Sequence, residues 1–270
     1  MIQRIETAER DYVNNGWCEV DLPDPQHISS IIDFLTEILV RVSGDVSATL
    51  LAYHNITSDR SHTEFHWELA NALWEKDIGV EIGRHQYEFL RNFIGPDLLV
   101  QAKPFLRIAR PGRSEDNIGF HRDTTYGQSP YEVTMIIPLV DLPKEAAIQV
   151  APKTHIVSEK DIQLSSLPEP HWKKGSSKHA LGFPYAPQKL DAEVEKDLQT
   201  VPLNIGQAML FSPSLVHGQM CNQSSITRFS IDVRFLNANA PIDINRNINN
   251  RGYKSVHVSA IEQVAAAYLN

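Results

Sequence analysis

Residues 118–141 read I-G-F-H-R-D-T-T-Y-G-Q-S-P-Y-E-V-T-M-I-I-P-L-V-D. The second half of this stretch, 133–140, is a strand-like apolar run bounded by polar and turn residues. The first half carries His121 and Asp123, two positions apart. On a strand, residues two apart point the same way. An imidazole and a carboxylate are therefore expected to face one spot beside a core strand. A single His-x-Asp is common by chance, and Asp123 alone reads equally well as a cap for the turn at Thr124-Thr125.

Two features far downstream strengthen the pair. One is an isolated histidine, His217; the other is Arg228, eleven residues later. Arg228 opens a run in which Arg228, Ser230, Asp232 and Arg234 alternate with Phe229, Ile231, Val233 and Phe235. One face of that strand is charged and the other apolar. The charged face either lies in water or turns inward to a pocket that holds an anion. In the inward reading Arg228 grips a carboxylate with its two-pronged guanidinium, and Ser230 adds a hydroxyl donor. Two imidazoles and one carboxylate on one side of a metal leave positions open opposite, a ligand set suited to non-haem Fe(II).

Composition sets the frame. The chain has 270 residues, 42% of them apolar, and a formal charge of −8, with a pI near 5.7. No Lys/Arg-rich run marks a nucleic-acid footprint. Two cysteines, Cys18 and Cys221, suggest no disulfide framework and a reducing, cytoplasmic setting. The polar first twelve residues lack the apolar core of a signal peptide. No run approaches the roughly 18 apolar residues of a membrane helix.

Along the chain, 17–22 reads as a short strand after an Asn-Gly turn. Asp24-Pro25 opens a helix whose apolar face is Ile28, Ile31, Ile32, Leu35, Ile38, Leu39 and Val42, ending at Ser43-Gly44. Further helices are expected over 62–74 and 80–94. From 97 the texture changes to short strands: 98–109, demoted to an edge or bulged strand by Pro104, then 133–140, 148–151, 200–203, 207–211, 217–221 and 226–236. A helix is expected over 259–269, and the Asn-rich 237–250 is irregular. His62 and His66 stand at i and i+4 without an evident third ligand and read as an ordinary helix face. His155 reads as structural. Gln101, Lys103 and Arg107 form a polar strip that faces either the barrel or solvent.

Helices first and strands after predict a mainly β fold with packed helices, a double-stranded β-helix (jelly roll, cupin-like) with a helical N-terminal third. The expectation is one domain over 1–270, with helical support at about 24–96, a jelly-roll core at about 97–236 and a substrate lid at 158–196. That lid segment is broken by Pro168, Pro170, Pro184 and Pro187 and holds His171, His179, Trp172, Phe183 and Tyr185. A long irregular segment between core strands is commonly functional.

Taken in order, the pieces resemble the Fe(II)- and 2-oxoglutarate-dependent dioxygenases. His121-x-Asp123 looks like that family's first two iron ligands, His217 within F-S-P-S-L-V-H-G (211–218) like the distal one, and Arg228-x-Ser230 like its clamp for the distal carboxylate of 2-oxoglutarate. I-P-L-V-D (137–141) followed by Q-V-A-P-K-T-H (149–155) is similar to the phytanoyl-CoA hydroxylase-like branch, although Lys153 and Thr154 replace its usual Gly-Ser. The run 110–132 is similar to that of the branch's bacterial carbohydrate-cluster group. The resemblance implies Fe(II), 2-oxoglutarate as cosubstrate, O2, and hydroxylation of a small polar molecule with release of succinate and CO2. Gln101 and Lys103 become candidate contacts for 2-oxoglutarate. Asp123 favours hydroxylation over halogenation, because halogenating members have a small residue there. The competing classes are a cupin-like metal-dependent isomerase or hydrolase, against which Arg228-x-Ser230 argues, and a non-catalytic binder of the same fold, against which the intact ligand set argues.

Overall fold

A computed structural model describes residues 2–162, 164–166, 188–190, 197–241 and 252–269. The first helix, α1 (Ile2–Asn15), was not expected from sequence. It ends where Gly16, at φ +84, donates its N–H to Tyr12. A Cβ at Gly16 would fall 2.6 Å from the His155 ring, so the close approach requires glycine. Strand β1 (Trp17–Asp21) follows. Helix α2 (Pro25–Ser43) starts at Asp24, whose side chain accepts from His27 N at 3.2 Å, and stops at left-handed Gly44. Its expected apolar face is buried through Ile28, Ile31, Leu35, Ile38 and Leu39. A Ser58–Ser61 capping box opens α3 (Asp59–Glu75).

The single helix expected over 80–94 is two, α4 (Ile78–His85) and α5 (Tyr87–Phe93). The break falls at Gln86, which is buried and non-helical at φ −102 and ψ 9. Its amide bridges to Asp24, with Nε2 donating to Asp24 O at 3.3 Å. A tertiary contact thus overrides helical periodicity that runs straight through.

The strand expected over 98–109 is interrupted at Pro104, giving β2 (Leu98–Gln101) and β3 (Phe105–Ala109). Strands β4 (Val133–Pro138), β5 (Ile148–Ala151), β6 (Leu164–Ser166), β7 (Gln188–Leu190), β8 (Gln199–Val201), β9 (Gln207–Phe211), β10 (Val216–Gly218) and β11 (Arg228–Asn237) follow. The chain closes with β12 (Tyr253–His257), which was not expected, and α6 (Ala260–Leu269). The major sheet runs β1-β9-β4-β11-β2-β12, with β3 also on β11; the minor sheet runs β10-β5-β8. All named pairings are antiparallel. These sheets form the double-stranded β-helix, and the helical N-terminal region packs on it.

Strand β11 is the spine. It pairs with β4 along one edge and with β3 and then β2 along the other. Arg228 through Leu236 is buried throughout, which decides between the two readings of its charged face: it turns inward. The alternate face, Phe229, Ile231, Val233 and Phe235, joins the main core with Leu35, Leu69 and Leu73 of the helices. Burial of such side chains contributes roughly 1.5–3 kcal/mol each, so the helical layer fixes which face of β11 is left for the cavity. Among the described residues no helix is long and apolar enough to cross a membrane.

Candidate active site

His121 and His217 stand opposite each other in an isolated antiparallel bridge. His121 N donates to His217 O at 2.9 Å, and His217 N to His121 O at 3.0 Å. Their ring centroids are 4.4 Å apart. One device orients both rings. The Nδ1–H of His121 donates to Gly119 O at 2.8 Å, and that of His217 to Leu215 O at 3.0 Å. A carbonyl only accepts, so each Nδ1 carries its proton and each Nε2 offers a lone pair. Both Nε2 atoms approach Asp123 Oδ1, at 3.4 and 3.9 Å.

Asp123 is not on a strand. It opens a 3-10 turn, Asp123–Tyr126, closed by Gly127 at φ +88. The two-residue spacing still works, because His121 sits in the bridge and the chain turns immediately after it. Asp123 Oδ2 faces the other way, accepting from Arg234 Nη2 at 2.7 Å and Thr134 Oγ1 at 3.4 Å. All three residues, His121, Asp123 and His217, are buried. Burial pushes His217 down to about 4, which keeps it neutral at physiological pH. Burial opposes charge on Asp123, but the Arg234 guanidinium holds its carboxyl well below the usual range. The three donor atoms lie within 4.8 Å of one another. Two imidazoles, each presenting Nε2, and a carboxylate fit iron(II).

Arg228 lines the same cavity as His121 and His217, together with Arg107, Gln219 and Asp232. Its Nη1 donates to Gln219 Oε1 at 2.5 Å; Nε and Nη2 each reach Ser230 Oγ at 3.3 Å. Asp232, two residues along β11, is engaged by Arg107 at 3.0 Å and Arg234 at 3.6 Å. Among the described residues no carboxylate pairs with Arg228. Burial, with the Arg107 charge beside it and Asp232 opposing, pushes Arg228 down to about 10. A buried cation left without its counter-ion is a site for an anion.

The polar strip 101–107 does not share one face, because Pro104 interrupts the strand alternation between β2 and β3. Arg107 lines the cavity. Gln101 is buried behind Asp123, accepting from Arg234 Nη1 at 3.3 Å. Lys103 is exposed, with its Nζ over the Trp74 ring at 4.9 Å on the helical side. Gln101 and Lys103, the expected contacts for 2-oxoglutarate, are not among the residues that line this cavity.

His62 and His66 are not on an ordinary helix face either; both are buried. His66 Nε2 donates to Leu106 O at 2.8 Å. His62 Nδ1 meets Tyr53 Oη at 2.9 Å, and its Nε2 lies 3.4 Å from Asp116 Oδ1. Asp116 accepts from Arg110 at 2.7 and 2.9 Å and reaches the cavity wall. This network had no signal in the sequence beyond the i, i+4 histidines. A surface group, His27, Glu81 and His85, also comes together. Its two rings are stacked at 3.8 Å and 8°, so their in-plane lone pairs run parallel and do not converge on one ion. His155 is structural as expected, accepting position against Gly16 and donating to Val13 O at 3.0 Å. Residues 163, 167–187 and 191–196 of the expected lid lie outside the described residues, and with them His171, Trp172, His179, Phe183 and Tyr185.

A family model for phytanoyl-CoA dioxygenase (PhyH) matches residues 55–230, well over half of the chain and spanning the three clustered residues, Arg228 and Ser230. The chain belongs to this family. As a phytanoyl-CoA dioxygenase-family protein it is a 2-oxoglutarate-dependent non-haem iron oxygenase, with iron, 2-oxoglutarate and O2 as its cofactors. Solved structures share the fold. The non-haem α-ketoglutarate-dependent epimerase SnoN from nogalamycin biosynthesis matches at 17% identity and TM-score 0.52, over 88% of this chain and 85% of that one. SnoN in complex with Fe3+, α-ketoglutarate and nogalamycin RO matches at 15% and 0.54, over 93% and 90%. The apo form of the non-haem monooxygenase ThoJ matches at 15% and 0.55, over 93% and 84%. A comparison with curated proteins finds no match.

Proposed function

We propose that this family member hydroxylates a small polar molecule, with His121, Asp123 and His217 holding iron(II) and Arg228 with Ser230 holding the distal carboxylate of 2-oxoglutarate. The observation that carries the assignment is Arg228: a buried guanidinium with no ion-paired carboxylate among the described residues, on the wall that also presents both histidines. Iron with 2-oxoglutarate supplies the oxidation, in which one atom of O2 enters the substrate and the other leaves in succinate as CO2 is released. The protein's residues do the positioning. The carbonyls of Gly119 and Leu215 fix the imidazoles. Gln219 and Ser230 fix the guanidinium.

Arg107, Asp116, Gln219 and Asp232 make the wall polar, which favours a polar substrate, such as a secondary metabolite or a carbohydrate-related molecule, over a long acyl chain. The complex of SnoN with nogalamycin RO is in keeping with a small-molecule substrate. The free cysteines Cys18 and Cys221 suit the cytoplasm, and we place no nucleic acid or membrane among the partners. The expected lid at 158–196 retains its proposed role in substrate binding.

The test is an anaerobic titration of the Fe(II) protein with 2-oxoglutarate. A weak visible charge-transfer band should appear and be lost in His217→Ala and Arg228→Ala. Admission of O2 should then give succinate, and a polar substrate should gain one oxygen atom by mass. A folded, iron-loaded protein without the band would refute the site assignment.

A further inference from the structure

The two oxygens of Asp123 are divided between two tasks. Oδ1 faces the imidazole Nε2 atoms at 3.4 and 3.9 Å. Oδ2 is turned away and held by Arg234 Nη2 at 2.7 Å. Arg234 is itself over-determined. Its side chain is 3% exposed. Nη1 donates to Gln101 Oε1 at 3.3 Å and lies 3.6 Å from Asp232 Oδ1, and Nε lies 3.9 Å from Glu132 Oε2. The Phe105 ring covers the guanidinium, 5.2 Å away. Glu132 in turn accepts from Ser129 N at 2.9 Å. A planar guanidinium clamped on several sides cannot swing out to release Oδ2.

Resting on the site assignment above, we propose that Arg234 is a positioning residue that keeps Asp123 a one-oxygen ligand. The consequence is a coordination count. An octahedral ion held by three protein atoms has three positions left, two for the keto-acid end of 2-oxoglutarate and one for O2. A carboxylate free to bind through both oxygens removes one of the three. The clamp withholds Oδ2 and so protects the room that the cosubstrate needs. Partners of metal ligands outside the ligand set commonly matter on this scale, about 10–100-fold. Asp232 links Arg234 to Arg107 on the cavity wall, so the orientation of the clamp is tied to the wall that faces substrate.

The test compares wild type, Arg234→Gln, Arg234→Lys and Arg228→Ala under anaerobic conditions. Two quantities are read: Fe(II) affinity alone, and 2-oxoglutarate affinity of the metal-loaded protein from the charge-transfer band. Co(II) serves as a second probe, its d–d absorption reporting coordination number. Release of Oδ2 predicts a split. Metal affinity holds or rises, while 2-oxoglutarate affinity falls about tenfold although Arg228 is untouched, and the Co(II) spectrum changes before any cosubstrate is added. Lysine keeps the charge but loses the fork, so Arg234→Lys should fall between. Should Arg234→Gln not fold, Arg234→Lys with the same two readouts decides the matter. Parallel loss of metal and cosubstrate affinity would mean ordinary structural support and would overturn the proposal, as would unchanged 2-oxoglutarate affinity. Absence of the band in wild type would instead overturn the site assignment itself, and Arg228→Ala alone losing the band would sustain that assignment while removing the clamp.

Discussion

Replacing Arg228 with methionine separates cofactor binding from folding, because the structure assigns the two opposite signs. Methionine keeps much of the side-chain volume and removes the charge. In the folded protein without cosubstrate, Arg228 is a buried cation whose neighbours are Gln219 and Ser230, at 2.5 and 3.3 Å. Burial and the Arg107 charge both disfavour its ionised form. An apolar residue of similar volume at such a position is commonly neutral or stabilising. With 2-oxoglutarate bound the sign reverses, since truncating one partner of a buried charge pair costs roughly 2–5 kcal/mol. At about 1.4 kcal/mol per tenfold, that is roughly a thirty- to several-thousand-fold rise in dissociation constant. The assay is thermal unfolding of Mn(II)-loaded protein with and without cosubstrate. At one hundred times its dissociation constant a ligand stabilises by about 2.7 kcal/mol, and a thirtyfold loss leaves about 0.9. At about 2–4 °C per kcal/mol, the cosubstrate should raise the wild-type midpoint by about 5–10 °C and that of Arg228→Met by about 3 °C or less. The midpoint of the cosubstrate-free variant should match or exceed wild type. An undiminished cosubstrate shift would refute the assignment of Arg228, and a large loss of stability in the cosubstrate-free protein would refute the account of its unbalanced charge.

Gly218→Ala should abolish Fe(II) binding while far-UV circular dichroism stays native, because the new Cβ would sit 2.7 Å from Phe120 Cα and 2.8 Å from its N, prising apart the bridge that aligns His121 with His217. Asp116→Asn breaks the buried pair with Arg110 and should cost roughly 3–5 kcal/mol in denaturant unfolding near neutral pH. Burial opposes charge on Asp116, yet Arg110 and His62 hold its pKa below the ordinary value. Its contribution is therefore present above the unfolded carboxylate pKa and lost as pH falls through the folded one, so the gap between wild type and Asp116→Asn should close below about pH 4. Mn(II) and 2-oxoglutarate should each raise the other's affinity by the same factor in calorimetric titrations; unequal factors would show a second binding site for one of them.

The site was more legible than its surroundings, and the reason is chemical. His121, Asp123, His217 and Arg228 are residue types that are costly to bury, and each recurs at a spacing that needs no knowledge of the loops between. The inward face of β11 was visible as an alternation, but which face was wet was not; that depended on the helices that cover Phe229 and Ile231. Helix α1 was hidden because its residues are mostly polar and nothing local marks a start. The break between α4 and α5 was hidden because Gln86 is held by Asp24, more than sixty residues away. Gln101 and Lys103 part because β2 ends at Gln101, and beyond it strand alternation stops being a guide to direction. Arg234 was on the page as part of the polar face, yet its partner Asp123 lies 111 residues distant, and no periodicity links them.

Charge bookkeeping around the cavity joins these observations. Arg107, Arg228 and Arg234 face Asp123, Asp232 and Glu132, so the set is neutral when all six are ionised. The pairing is uneven. Arg234 lies within ion-pair distance of all three carboxylates, whereas Arg228 touches none among the described residues. Negative charge is thus concentrated around Asp123 and positive charge around Arg228. Under the proposed assignment a divalent cation is drawn to the first and a dicarboxylate to the second, and the two together add no net charge to the set. A metal alone meets Arg234 close behind its carboxylate ligand. A cosubstrate alone has an arginine for one end and nothing for the other. The same asymmetry that supports the proposed anion site at Arg228 would make each cofactor the better partner for the other, and it follows from where β11 places two arginines six residues apart on one face.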